Sequence, residues 1–127
     1  MKSFFIKILS LIIVLGFSIT TYADTRINQV WTCTVKDGKT IDDIKKLNHK
    51  WVKYVNTAVK GGDIQSYVAT AIIGNLGTFI FVDSFPNMNS WTAKEAAMKT
   101  DEGKKIDDGF AELGDCQSNS LYSVEES

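Results

Sequence analysis

The best-placed reactive side chain in this sequence is an aspartate near the end of an apolar, β-rich run. Asp83 lies in FVDSF (residues 81–85) and shares its strand face with the phenylalanines at either end. If Asp83 is buried, its pKa rises and the carboxyl group is suited to act as a general acid or base. The alternative is a strand-end carboxylate that binds backbone amides or a lysine. The sequence leaves both interpretations open.

Asn48 is the second polar residue of interest, because it falls inside the apolar stripe of a predicted helix. A buried amide must be hydrogen-bonded. Asn48 is therefore either a structural brace to the sheet or a polar group that faces a pocket, as in most small-molecule sites. His49, the only histidine, falls on the solvent side with Lys46 and Lys53, so we expect a surface residue there.

Four aromatic residues have the periodicity to line a cavity beside these polar groups: Trp31, Trp51, Tyr67 and Trp91. Aromatic residues at strand and helix periods are more often part of the core. Our candidate ligand-binding residues are Trp31, Asn48, Trp51, Tyr67 and Asp83. The sequence has no Ser-His-Asp arrangement, no histidine cluster and no calcium-loop spacing. No catalytic residue is assigned, and we expect neither a metal nor a cofactor.

A second motif, Gly38-Lys39-Thr40, has the layout found at the end of a phosphate-binding P-loop. A P-loop also needs a glycine five residues before Gly38, and that position is Cys33, inside a predicted strand. We therefore interpret the motif as a turn and a helix cap. Thr40 is the expected N-cap, and Asp43 three residues later approximates a capping box.

The apolar pattern predicts elements in the order β-α-β-β-α-β. The predicted strands are residues 30–36, 64–73, 78–85 and 116–124, with GNLG (74–77) as a hairpin turn. One helix runs from Ile41 to about Val59, and a helical region broken near Thr100 precedes the last strand. This order is the split βαβ of ferredoxin-like folds. The predicted class is α+β, with a four-stranded antiparallel sheet and helices on one face.

Cys33 and Cys116 are the only cysteines, and in an oxidising compartment such a pair indicates a disulfide. The competing interpretation is a pair of metal or redox thiols, but a CxxC spacing is absent. In a split βαβ sheet the last strand lies antiparallel beside the first. The start of the last strand therefore meets the end of the first, and we expect a Cα separation within ~4.4–6.8 Å.

The first 23 residues have the pattern of a secretory signal peptide. Two lysines precede an almost wholly apolar run, and the small residues Thr21 and Ala23 follow it. The run is about half the length needed to span a bilayer, so an uncleaved membrane anchor is the weaker alternative. We predict cleavage after Ala23. A single domain, residues 24–127, would remain in the periplasm or outside the cell, with no stable membrane anchor.

The mature chain would carry 12 basic and 15 acidic side chains, a net charge near −3. Lysines of the first predicted helix accompany Asp42 and Asp43, which is typical of a solvated helix face. No lysine cluster is interleaved with aromatic residues. The composition therefore predicts no nucleic-acid partner.

The second and third predicted strands are apolar on both faces. On the third, Phe79, Phe81 and Phe85 oppose Ile80 and Val82. Two helices can cover only one face of a four-stranded sheet, and an uncovered face of this composition is larger than a soluble monomer usually tolerates. We predict that a second copy of the sheet covers it, in a two-fold homodimer with a mostly apolar interior.

The order of elements, the broken second helix and the segment FVDSFPNMNSW (residues 81–91) resemble the dimeric α/β-barrel proteins. That superfamily includes small monooxygenases of the antibiotic-biosynthesis type. The resemblance is architectural and covers roughly residues 29–124. It implies a ligand site between sheet and helices or inside the barrel. It supplies no catalytic residue, because the members share none, and this chain departs from the haem-binding members, which use a histidine.

Three functions follow as hypotheses. The first is a secreted or periplasmic protein that binds a small apolar or aromatic molecule in a largely apolar cavity. The second is a cofactor-independent monooxygenase or isomerase of the dimeric α/β-barrel type, with Asp83 or Asn48 polarising the substrate. The third is a protein-interaction module that uses the exposed sheet face. We favour binding, because so few side chains suit catalysis.

Overall fold

The structure, a computed structural model, describes residues 25–127, and the predicted signal peptide lies outside the described residues. The order of elements is β-α-β-β-α-α-β. The strands are β1 (Arg26–Val35), β2 (Gln65–Thr70), β3 (Phe79–Phe85) and β4 (Gly114–Val124). The helices are α1 (Ile41–Ala58), α2 (Met88–Ala97) and α3 (Asp101–Leu113). Within residues 25–127, no helix has the length and apolar character needed to cross a membrane.

The four strands form one antiparallel sheet in the order β2-β3-β1-β4. Strand β1 is central, between β3 and β4, and its antiparallel pairing with β4 is the one that the sequence predicted. Because side chains alternate along a strand, one face of β1 and β3 packs against the helices. The buried apolar side chains on that face are Cys33, Phe79, Phe81 and Phe85. The predicted ferredoxin-like α+β fold is confirmed, with the second helical region split into α2 and α3.

Helix α1 begins at a complete capping box. The Thr40 side chain accepts a hydrogen bond from the backbone N–H of Asp43 (3.2 Å), and the Asp43 carboxylate accepts one from the backbone N–H of Thr40 (3.0 Å). Gly38 has a φ of 76°, in the left-handed region that glycine adopts at little cost. The GKT motif is therefore a turn and a helix cap. The residues of α1 buried against the sheet are Ile44, Asn48, Trp51 and Val55.

Two apolar clusters form the core beneath the helices. One combines Trp51, Val55, Val59, Ile64 and Phe85. The other combines Cys33, Ile44, Phe79 and Phe81. The Phe110 ring of α3 packs against both clusters and meets the Phe81 ring edge to face, with centroids 5.4 Å apart. Helix α3 therefore joins the two halves of the core.

The opposite face of the sheet carries an apolar patch, formed by β2, β3 and part of β1, that is only partly buried. Strand pairing places Tyr67, Val82 and Val30 in one row across this face. Tyr67 is 55% exposed, and Tyr122 on the same face is 52% exposed. Both faces of β3 are thus apolar, as the sequence predicted, and only one of them packs against helices of the described chain. We call the other face the open face.

The predicted hairpin between β2 and β3 is wrong in length. Strand β2 ends at Thr70, whose partner is Phe79, and residues 71–78 form a loop instead of a tight GNLG turn. Ile72 and Ile73, placed in the strand by their β propensity, are 93% and 91% exposed. Strand propensity reflects packing against neighbours, and beyond Thr70 no strand or helix of the described chain supplies them. Strand β1 also begins earlier than predicted, at Arg26, because it pairs along its length with β4.

Cys33 and Cys116 form the predicted disulfide. They are direct partners on β1 and β4, beside a register shift that leaves Gln117 without a partner on β1. Their Cα atoms are 3.9 Å apart, closer than the expected range. Strand β4, exposed over almost its whole length, is thereby fixed covalently to the centre of the sheet.

Candidate functional site

A cavity of about 370 Å³ lies between the sheet and the three helices. All three tryptophans of the sequence line it, with Phe81, Phe110 and Met98. Its exposed lining residues are Asp107, Cys116 and Asn119, so the cavity opens between α3 and β4. Such a volume is in the range of about 300–1,000 Å³ that is usual for small-molecule sites.

A row of polar side chains crosses the helix-facing side of the sheet at the floor of the cavity. Ser66 on β2 pairs with Asp83 on β3, and Asp83 pairs with Gln29 on β1. Direct cross-strand partners have Cβ atoms about 4.5–5.5 Å apart. Asp83 and Gln29 are buried. Of these three residues, Gln29 and Asp83 line the cavity, and Ser66 lies beside Asp83 in the same row.

Ser66 joins Asp83 to helix α1. Its hydroxyl donates to Asp83 Oδ1 at 2.5 Å and accepts from Asn48 Nδ2 at 3.0 Å. The Asn48 carbonyl oxygen is 3.2 Å from the same hydroxyl, close enough to accept its hydrogen instead. Asn48 thus braces the helix to the sheet and also lines the cavity. The two alternatives for this residue are not exclusive.

Burial raises the pKa of Asp83 from 3.8 to about 6. The hydrogen bond from Ser66 and the positive charge of Lys94 oppose that rise. Asp83 is only 7% exposed, and its second oxygen, Oδ2, accepts no hydrogen bond from residues 25–127. A carboxyl group with this pKa exchanges a proton readily near neutral pH.

Lys94 of α2 is a buried cation at the same floor, 5% exposed. Its Nζ donates to Gln29 Oε1 at 2.8 Å and to Glu95 Oε1. The ammonium also lies 5.4 Å from the centroid of Phe85 and 5.6 Å from that of Trp91, where the ring faces attract a cation. These contacts hold Lys94 next to the polar row.

Gln29 organises the side of the row that leads to the cavity mouth. Its Oε1 accepts from Trp91 Nε1 at 3.2 Å as well as from Lys94. Its Nε2 donates to Asn119 Oδ1 at 3.0 Å, and Asn119 lies at the mouth on β4. The buried Gln29 amide therefore holds the side chains of Lys94 and Trp91, together with the Asn119 side chain at the cavity mouth.

Four of the candidate ligand-binding residues come together around this cavity: Trp31, Asn48, Trp51 and Asp83. Tyr67 does not, because it lies on the open face of the sheet. His49 is exposed on α1. Within residues 25–127, no group of three or more His, Cys, Asp or Glu side chains is arranged to hold a metal ion.

Among the polar residues of the site that sequence reasoning missed are Gln29, Ser66 and Lys94. Gln29 could have been found, because it continues the helix-facing parity of Trp31 and Cys33 towards the start of β1. Lys94 also had a signal, since it follows Trp91 by three residues and so shares its helix face. Ser66 had none, because its role depends on the pairing of β2 with β3.

The architecture is that of a ferredoxin-like α+β protein. SnoaB from Streptomyces nogalater, described as a cofactor-independent oxygenase, aligns over 81% of this chain and 96% of its own (TM-score 0.60, identity 7%). A nipsnap family protein of unknown function from Agrobacterium tumefaciens aligns over 82% and 92% (TM-score 0.59, identity 12%). A dimeric ferredoxin-like protein of unknown function from Thermobifida fusca aligns over 84% and 96% (TM-score 0.50, identity 8%).

At such identities the similarity concerns the fold alone. It confirms the resemblance drawn from the sequence, since oxygenase and dimeric proteins are among the structures with this fold. No protein-family model matches the chain, and no curated protein sequence matches it.

Proposed function

We propose that the chain is a small-molecule-binding protein whose cavity takes an apolar or aromatic molecule with one or two polar substituents. The observation that carries the proposal is the cavity, lined by three tryptophans and floored by buried polar groups. Aromatic walls provide a large apolar contact area, and a few fixed polar groups orient a ligand. The candidate residues Trp31, Asn48, Trp51 and Asp83 fit these two roles.

The proposed setting is the periplasm or the outside of the cell, after removal of residues 1–23. A disulfide between Cys33 and Cys116 is compatible with such an oxidising compartment. Mass measurement of the protein isolated from its native source is the direct test. A mature chain beginning at Asp24 is the expected result, and an intact N-terminus would contradict it.

The proposed assembly is a homodimer through the open face. The apolar row that contains Tyr67 and Val82 supports it, and the Thermobifida fusca protein of the same fold is described as dimeric. Sedimentation at micromolar concentration is expected to give a dimer. A stable monomer would contradict the assembly and would favour the third function, a module that binds another protein through this face.

Ligand binding is tested most directly by native mass spectrometry of the protein purified without organic solvent. A co-purifying small molecule is expected, and its release should change the fluorescence of the cavity tryptophans. Gln29→Leu is expected to weaken retention, because it removes the amide that fixes Lys94 and Trp91. His49→Ala, on the exposed side of α1, is the matched control and should retain the ligand.

A second candidate function is a cofactor-independent oxygenase or isomerase. The specific observation that favours it is Asp83, a buried carboxyl group with a pKa of about 6 and an unused oxygen. The fold similarity to SnoaB supports the same candidate. Turnover of a bound ligand would separate it from simple binding, because a binding protein returns the molecule unchanged.

A further inference from the structure

Two buried groups of opposite charge in the cavity keep unused hydrogen-bonding capacity. The Lys94 ammonium has three hydrogens and donates to two oxygens, those of Gln29 and Glu95. Asp83 accepts its one hydrogen bond at Oδ1. Both residues line the cavity, and no ion pair joins them within residues 25–127. One hydrogen of Lys94 and one oxygen of Asp83 are therefore available to a ligand.

A hydrogen bond to Gln29 anchors the Lys94 ammonium at β1, the strand next to that of Asp83. Gln29, which holds Lys94, is the direct partner of Asp83 on the neighbouring strand. Their Cβ atoms are expected about 4.5–5.5 Å apart. A ligand that lies between Asp83 and Lys94 can present a C–H bond to the carboxylate. Its carbonyl oxygen, two bonds from that carbon, can then face the ammonium.

We propose that the cavity accepts a planar, enolisable carbonyl compound, with Asp83 as the base and Lys94 as the donor to the enolate oxygen. This inference rests on the proposed ligand-binding function and deepens it. The aromatic walls suit a flat ring system attached to the carbonyl group. The arrangement supplies the two groups that enolisation needs, a proton acceptor and a positive group where negative charge develops.

The reaction is a proton transfer that needs no oxidant. The Asp83 carboxylate takes a proton from the carbon beside the carbonyl group. The electrons of that C–H bond form a C=C bond, and the C=O π electrons move to the oxygen, whose negative charge is stabilised by a hydrogen bond from Lys94, which keeps its proton. Asp83 then returns the proton to the oxygen or to another carbon of the conjugated system. The product is an isomer of the substrate.

Ser66 and Asn48 are positioning residues for this transfer. With Asp83 ionised, the Ser66 hydroxyl donates to it and accepts from the Asn48 amide. When the free oxygen Oδ2 takes the ligand's proton, Oδ1 still accepts the hydrogen bond from Ser66, so the carboxyl group keeps its orientation. Both protonation states of Asp83 are therefore satisfied without moving the backbone.

The test uses 2-tetralone, a bicyclic enolisable ketone, and tetralin, the hydrocarbon that lacks its carbonyl group. Calorimetric titration of the full mature protein should show about tenfold tighter binding of 2-tetralone than of tetralin. NMR in deuterium oxide should show that the protein accelerates exchange of the protons beside the carbonyl group. Asp83→Asn should keep the binding preference and slow exchange by about 100-fold or more.

Lys94→Met should lose both properties, with the two compounds bound about equally and exchange slowed to a similar extent. Asp108→Asn and Lys99→Met, on exposed positions of the chain, are the matched controls and should behave as wild type. Circular dichroism verifies that each variant is folded. Asp83→Asn decides the inference by itself if Lys94→Met does not fold.

The outcomes separate the two levels of the proposal. If wild-type protein binds neither compound, the proposed function fails and the inference fails with it. If it binds 2-tetralone but does not accelerate exchange, the inference alone is overturned. The same holds if exchange is as fast in Asp83→Asn as in the wild type.

Discussion

The two faces of strand β3 are both apolar, yet they meet different surroundings. On the helix-facing side, Phe81 and Phe85 are buried and enclose Asp83, an ionisable group with a displaced pKa. On the open face, Ile80 and Val82 are only half-buried, and β3 places no ionisable side chain on that face. Burial of the Asp83 carboxyl group destabilises the folded protein on the helix-facing side. Exposure of apolar side chains to water destabilises it on the open face. The first is typical of a ligand site and the second of an association surface.

The largest effect should come from placing a carboxylate on either side of this strand. Phe81→Asp should unfold the protein, because it removes a core ring worth about 3–5 kcal/mol and buries an unpaired charge. Val82→Asp should leave the chain folded and shift sedimentation from dimer to monomer. Urea unfolding and sedimentation of both variants measure the contrast. If Val82→Asp unfolds the protein and Phe81→Asp leaves it folded, our assignment of the two faces is wrong.

The next largest effect concerns β4, which the disulfide joins covalently to the central strand β1. Replacing Cys33 and Cys116 together by alanine should lower the free energy of unfolding by about 4 kcal/mol, since the bond closes a loop spanning 83 residues. Chemical denaturation of the oxidised, reduced and doubly substituted proteins is the measurement. Equal stability of the oxidised and substituted forms would show that pairing with β1 alone holds β4.

A smaller and pH-dependent effect is expected from Asp83. Its folded-state pKa of about 6 is above the ordinary 3.8, so the folded state binds more protons between these values and stability falls as pH rises through them. Above pH 6 the cost is complete, at about 3 kcal/mol. Asp83→Asn should therefore stabilise the protein at pH 7, with the gain vanishing near pH 4.

Urea unfolding at both pH values tests the sign of this effect. The exposed Asp108 gives the control, because Asp108→Asn should leave the pH dependence of stability unchanged. A loss of stability in Asp83→Asn at pH 7 would mean that hydrogen bonding outweighs burial at this carboxyl group.

The smallest effect should come from Asn48. Asn48→Leu removes one partner of Ser66, but Ser66 keeps Asp83, so the loss should be near the lower end of 1–3 kcal/mol, about 1 kcal/mol. Ligand binding should weaken as well, because Asn48 lines the cavity. Thermal unfolding of this variant measures the loss of stability, and titration of the same variant with ligand measures the loss of binding. A large loss of stability with unchanged binding would leave Asn48 as a brace only.

The sequence was sufficient for the fold because its strongest signals were local. Alternation in β1 and β3, the 3.6-residue stripe of α1 and the Thr40–Asp43 capping box each depend on residues near one another in the chain. The β2–β3 loop was misjudged for the opposite reason. Ile72 and Ile73 have strand propensity, but whether they pair depends on where β3 begins.

The candidate site was only partly predictable, because its main polar side chains come from five separate elements, β1, α1, β2, β3 and α2. Asp83 and Asn48 stand out as polar residues inside apolar patterns. Periodicity places Gln29 and Lys94 on faces that turn inward, but the hydrogen bond between them depends on how α2 packs against the sheet, which no local signal predicts. Tyr67 was included among the candidates because periodicity shows that two faces exist without showing which one the helices cover.

The pairing of β1 with β4 has a consequence for the order in which the chain folds. Ile27 pairs with Ser123, so the central strand gains its second neighbour only after almost the whole domain has been synthesised. Contacts between such distant parts of a chain slow folding, because a long loop must close before they form. Synthesis from the N-terminus delivers β4 last. Until β4 arrives, one edge of β1 stays unpaired and open to association with other chains, so folding in crowded surroundings depends on its last eleven-residue strand.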